Sequence, residues 1–323
     1  MKRNLMHLLM GIMAAGISLV ACNNPDTGEK EIRAATRDAG VKASIQYLLS
    51  QVDTISNQLD DSTRLYALPV LQFYYSNKAY APVWSSSGQW SPLADSLLTY
   101  INGCANDGLF KNDYKNALLT ALRKIPLQDS LKALDPLYWA KADVLFSDAF
   151  LRLAQDLKQG RLQKDSLSWK YRRDKQAGFF TENLNNIAAR NSFVKIIEQL
   201  QPSLRDYQEL KNSLPAFVKT MDSKQYTYLQ FPYRDSSAFV KKLLLRLKEA
   251  GVETSTAASY DSLKLKSLLA GFQKEHGLKG TGKISAALVN FLNNTDREKF
   301  KRIAVNWINT NSCLRNYLVN TYG

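Results

Sequence analysis

The stretch DPLYWAKADVLFSDAFLRLAQDLKQG, residues 135–160, decides the fold class. Asp135-Pro136 reads as a helix start, because proline's fixed φ suits the first helical position and its missing N–H has no partner there anyway. Tyr138, Ala142, Leu145, Ala149, Leu153 and Leu157 then recur at steps of three and four, the signature of one buried helix face. Gly160 supplies the stop. The same grammar extends to both sides. Upstream, Ser91-Pro92 is an N-cap with proline behind it, Leu93, Leu97, Leu98 and Ile101 are the buried stripe, and Asn106-Asp107-Gly108 is a turn. Downstream, a helix pair is predicted over Ser192–Gln201 and Leu204–Thr220, bracketed or bent by Pro202 and Pro215. No internal repeat is detectable. Residues 45–235 are therefore expected to form one all-helical domain, and the chain to be mainly α.

A second unit is predicted over residues 236–294. Phe239, Leu243, Leu244 and Leu247 mark one amphipathic helix, closed by Gly251. Tyr260-Asp261 starts another, with Leu265, Leu268, Leu269 and Phe272 on its apolar face. Gly277 and Gly280 punctuate a loop, and Ile284, Leu288 and Leu292 mark a third helix. Three short helices in about 60 residues lie near the lower size limit for a self-standing fold. In the tail, residues 295–323, Ile303-Ala304-Val305-Asn306-Trp307 and Tyr317-Leu318-Val319-Asn320 read as β-strand material. A sheet needs more strands than these.

The N-terminus sets the compartment. Lys2 and Arg3 precede an uncharged, apolar or small run from Leu8 to Val20, which has signal-peptide length and is short for a membrane span. It ends Leu19-Val20-Ala21-Cys22, which resembles a bacterial lipobox and implies cleavage after residue 21 and a lipid on Cys22. Asn23-Asn24-Pro25-Asp26-Thr27-Gly28-Glu29-Lys30-Glu31 is polar and turn-rich, so residues 22–44 are expected to be a flexible tether. Asn23 behind Cys22 points to the outer rather than the inner membrane, with the body facing the periplasm.

The net charge is +14, of which Lys2 and Arg3 carry two. A basic exported protein is drawn to acidic wall polymers or anionic headgroups. The lysines are scattered, and no basic run has interleaved aromatics, so nucleic acid is not an expected partner. With Cys22 lipidated, Cys104 and Cys313 remain, either as a pair or as two separate thiols. His276 is the one histidine beyond His7. No Cys/His cluster offers a metal site and no cofactor is implied.

Within the second unit, the run Leu243–Gly251, Tyr260-Asp261, Phe272-Gln273 with His276-Gly277-Leu278, and Gly282-Lys283-Ile284 resembles a three-helix peptidoglycan-binding domain. Thr281 and Leu288 stand where that family usually carries Asp and Thr. If the resemblance holds, Gln273, His276 and Lys283 are the candidate polar contacts to wall polymer. Upstream, Phe73-Tyr74-Tyr75, Tyr80-Ala81-Pro82-Val83-Trp84, Asp107-Gly108-Leu109 with Asp113-Tyr114, and Asp156-Leu157 with Gly160-Arg161 resemble the helical scaffold domain of large periplasmic L,D-transpeptidases. The aromatic group from Phe73 to Trp84 reads as a packed helix and its exit loop more than as a sugar-stacking platform.

Catalysis in that family needs a thiolate Cys, a His to help ionise it and backbone donors for the oxyanion. Thr310-Asn311-Ser312-Cys313-Leu314-Arg315 is similar to the family's Ser-x-Gly-Cys-Ile-Arg signature but lacks its Gly. Only 29 residues follow Asn294. The expectation is a chain with no catalytic residues, whose tail is a remnant of a catalytic domain. Three readings follow: a lipoprotein that binds peptidoglycan and positions cell-wall enzymes; a truncated or frameshifted L,D-transpeptidase fragment; or a helical lipoprotein with another glycan or protein partner.

Overall fold

A computed structural model describes residues 25–159, 178–189, 192–253 and 262–304. The regular elements among the described residues are thirteen α-helices, two single-turn 3-10 helices and two small hairpins, so the fold is mainly α as expected. The first helix, α1, runs Pro25–Gln51. Strands β1 (Gln58–Asp60) and β2 (Thr63–Arg64) form an antiparallel hairpin before α2 (Leu68–Asn77). A second hairpin, β3 (Ser85–Ser86) and β4 (Gln89–Trp90), precedes α3 (Pro92–Gly103). Then come α4 (Asn116–Gln128), α5 (Ser130–Leu134) and α6 (Pro136–Gln159). Helix α7 covers residues 178–188, followed by α8 (Phe193–Leu200) and α9 (Arg205–Thr220). The remaining helices are α10 (Ser236–Glu249), α11 (Ser262–Glu275), α12 (Ala286–Asn293) and α13, residues 296–304.

Helix α6 is the axis of the larger core. The sequence shows one apolar stripe, but from Tyr138 to Leu157 every residue is buried except Lys141 and Arg152. A helix enclosed on all sides is usually apolar all round. Here Asp143, Ser147 and Asp148 face inward and organise the chain around them. Asp143 accepts the backbone N–H of Val83 at 2.9 Å and of Trp84 at 2.8 Å, and the Tyr75 hydroxyl at 2.6 Å. The Trp84 indole N–H donates to Ser147 Oγ at 2.8 Å. Asp148 accepts the N–H groups of Tyr66 and Ala67 at 2.8 and 2.9 Å and pairs with Lys115 at 2.6 Å. Two turning points of the surrounding chain are thus fixed by buried carboxylates, each multiply hydrogen-bonded, as buried charge requires. Burial pushes the Asp143 carboxyl up to about 6, against the hydrogen bonds from Tyr75, Trp84, Val83 and Ser85 that favour its ionised form. Tyr74, Tyr75 and Trp84 are in this core, and of the aromatic group only Phe73 is largely exposed.

Several boundaries move. The expected tether, residues 22–44, is helical from Pro25 onward, and Val41, Ile45 and Leu49 of α1 are buried along α6. Pro25 suits a helix start, and Ala34, Ala35, Ala39 and Ala43 favour helix between the charged residues. The apolar spacing that would have announced the helix begins only at Val41. The expected start of the second unit at 236 also moves back. Leu229 is part of its core, and the Asn293 side chain clamps Leu229 through both the N–H and the carbonyl, at 3.0 and 2.8 Å.

The tail differs too. Ile303 and Ala304, read as strand, lie in α13. Phe300 and Ala304 are buried against α9 residues Tyr207 and Leu214, and the Phe300 ring meets Phe110 edge-on at 5.1 Å. Residues 296–304 therefore pack back onto helices that precede the second unit. β-Branched Ile303 and Val305 suggested a strand, and tertiary packing overrides that weak preference at Ile303. Val305 onward lies outside the described residues, as do Tyr317–Asn320, Cys22, Gly160, Arg161, Tyr260 and Cys313. Cys104 is a buried free thiol, and burial followed by the nearby Asp107 and Asp113 pushes it up to about 12. None of the described helices is long and apolar enough to cross a membrane.

Candidate functional site

Helices α10, α11 and α12 surround a separate small core of Leu229, Phe239, Leu243, Leu247, Leu269, Phe272, Leu288, Val289 and Leu292. Ser285 caps α12 by accepting the Leu288 N–H, and Asp235 caps α10 by accepting the Ala238 N–H. Between α11 and α12 lies the loop that carries the three candidate residues.

Gln273 builds that loop. It is 2% exposed, so it is not a surface contact. Its Nε2 donates to the Lys283 carbonyl at 3.0 Å, and its Oε1 accepts the Gly282 N–H at 2.8 Å. Its own carbonyl accepts the Leu278 N–H at 2.7 Å. One side chain thus ties the end of α11 to the far end of the loop. Thr281, in the position where the resembled family has Asp, accepts the Lys283 N–H at 3.2 Å through Oγ1. A hydroxyl can do this local capping as a carboxylate would.

Two glycines are required by geometry. Gly277 has φ +71° just after α11, the left-handed stop of a helix. Gly282 has φ +63°, and a Cβ there would fall 2.5 Å from the Lys266 carbonyl oxygen. The loop therefore lies directly on the backbone of α11.

His276 and Lys283 are exposed at this loop. The imidazole lies 4.3 Å, centroid to centroid, from the buried Phe272 ring and 5.1 Å from Phe291, which is 41% exposed. Together His276 and Phe291 make an aromatic shelf above the core. Such a shelf can stack on a sugar or peptide face, with imidazole nitrogens for hydrogen bonds. Phe291 falls at the edge of the Ile284–Leu288–Leu292 face, three positions after Leu288, so periodicity alone reads it as core. Only the structure shows it half out of that core beside His276. The structure joins Gln273 to the Lys283 backbone, while the contacts of the His276 ring are with Phe272 and Phe291. Among the described residues no group of three or more His, Cys, Asp or Glu side chains is placed to hold a metal ion.

The fold is thus a helical body around α6 joined to a small three-helix unit with a structured loop. Residues 69–214, from α2 into α9, match the model of a family described as "Scaffold domain", so the larger body contains a scaffold domain. Comparison with curated proteins and with solved structures finds no match.

Proposed function

We propose that the protein is a membrane-anchored, non-catalytic lipoprotein that binds peptidoglycan through its three-helix unit and positions cell-wall enzymes beside it. The observation that carries this reading is the aromatic shelf of His276, at the start of the loop that Gln273 clamps, and Phe291 of α12. A preorganised aromatic surface loses little entropy on binding, which is how small sites gain affinity for carbohydrate or peptide faces. The exposed Lys283 and Lys279 of the loop, and Lys274 in the last turn of α11, add a cationic field for an acidic polymer. The lipid on Cys22 and a periplasm-facing, outer-membrane location belong to the same proposal and rest on the sequence of residues 1–24.

The test is retention of the protein on purified sacculi. Binding at low salt that weakens as salt rises is expected, because exposed charges are screened. No retention at low salt would sink the proposal. His276→Ala with Phe291→Ala should abolish retention, whereas Phe73→Ala, an exposed aromatic on the scaffold body, should not. The reverse pattern would favour a different partner on the helical body.

A further inference from the structure

A groove of about 270 Å³ lies between the extended segment before α10, the end of α12 and the start of α13, and shares no residue with the 273–283 loop. Its chemistry centres on Arg246, which is 7% exposed. Nε and Nη2 of Arg246 both donate to the Leu292 carbonyl, at 3.0 and 2.7 Å. That accounts for a structural role, capping the last turn of α12. It leaves Nη1, with two of the five guanidinium donors. Nη1 is buried and has no hydrogen-bond partner among the described residues. The Tyr226 ring covers the guanidinium at 4.4 Å. A buried unmet donor on a cation is costly, and an arriving anion relieves that cost.

The surrounding charges narrow the ligand. Glu249, the carboxylate next to Arg246 along α10, already accepts from the Thr227 N–H and Oγ1 at 2.8 and 2.7 Å. Glu298 is held by Lys301 at 2.5 Å. Arg297 is exposed on the groove wall. Arg246, Arg297 and Lys301 on the groove wall face Glu298 there and Glu249 behind Thr227, three cations against two carboxylates. That balance suits a monoanion and disfavours a dianionic phosphate. The volume is below the ~300 Å³ at which pockets accept drug-sized ligands.

We infer that this groove is a binding site for a carboxylate group on a small ligand, such as the free C-terminus of a short peptide, with Arg246 Nη1 and Arg297 as its ligands. The site stands whether or not the 273–283 loop binds wall polymer.

The test is titration of the full chain with N-acetyl-dialanine and with its C-terminal amide, followed on the arginine side-chain resonances. A saturable shift at Arg246 is expected, with the amide at least about tenfold weaker, the size of one charge-assisted hydrogen bond. Arg297→Gln, on an exposed side chain outside the cores, should weaken the acid about fivefold and leave the amide unchanged. Absence of saturation, equal binding of acid and amide, or indifference to Arg297→Gln would each overturn the site. Inorganic phosphate binding as tightly as the acid would overturn the choice of carboxylate.

Discussion

Asp143 and Asp148 in the large core and Gln273 in the small one act over very different stretches of chain. Around α6, Asp143 and Asp148 reach outward from the centre and capture backbone N–H groups of chain segments 59 to 82 residues away in sequence. In the three-helix unit, Gln273 reaches only to residues 281–283, eight to ten positions on. The first arrangement fixes global topology through polar groups enclosed in the core. The second fixes one loop, with His276 and Lys283 exposed on it. A large core can hide its polar anchors, whereas a core of nine buried side chains needs its anchor at the rim.

The largest expected effect comes from the scaffold anchor. Trp84→Ala should cost about 4 kcal/mol, the usual range for a deleted core aromatic, and it also removes the hydrogen bond to Ser147. Hydrogen exchange should then show α6 deprotected while α11 and α12 keep their protection. Equal loss in both would mean that the two cores unfold as one. Next is a pH effect of about 3 kcal/mol, from a carboxyl raised from its ordinary 3.8 to about 6. The folded protein holds the Asp143 proton more tightly than the unfolded chain does. Its contribution is therefore complete below about pH 4 and is lost as pH rises through about 6. Urea melts across that window should show the fall, and Asp143→Asn should flatten it.

Smaller effects belong to the rim. Gly282→Ala forces a Cβ against the Lys266 carbonyl at positive φ and should cost ~1–3 kcal/mol, confined to α10–α12, with loss of sacculus retention. Gln273→Leu should cost about 1–2 kcal/mol by leaving the Gly282 N–H and Lys283 carbonyl unpaired. His276→Ala should change stability by less than about 0.5 kcal/mol, as surface changes do, while weakening wall retention. A large loss of stability from His276→Ala would show that the ring is packing rather than site.

Helical periodicity made the cores legible in advance. The stripes at Leu93–Ile101, Tyr138–Leu157 and Leu265–Phe272, and the caps at Ser91 and Pro136, all fall in the helices they announced. What escaped was whatever depends on a distant partner. Asp143, Ser147 and Asp148 look like the solvent face of an amphipathic helix until the segments at 66–67 and 83–84 are placed over them. Gln273 looked like a ligand contact because buried amides and exposed ones are written with the same letter. Phe291 reads as core at the edge of its stripe, and α1 was hidden because its first three turns carry almost no apolar signal. Arg246 fell on the predicted helix, but only its position beneath Leu292 shows that one nitrogen is left over.

The return of α13 to α9 has one more consequence. The Asp222 N–H donates to the Asp296 carboxylate at 3.1 Å, so the chain leaves the helical body and comes back to it at one place. In topological terms the three-helix unit is an insertion within the body, held by two adjacent stems. Two adjacent stems restrain the unit more than a single linker would. They also make it removable: joining residue 222 to 296 by a few glycines should excise the unit and leave α9 and α13 packed. The excised form would separate what the body does from what the unit binds.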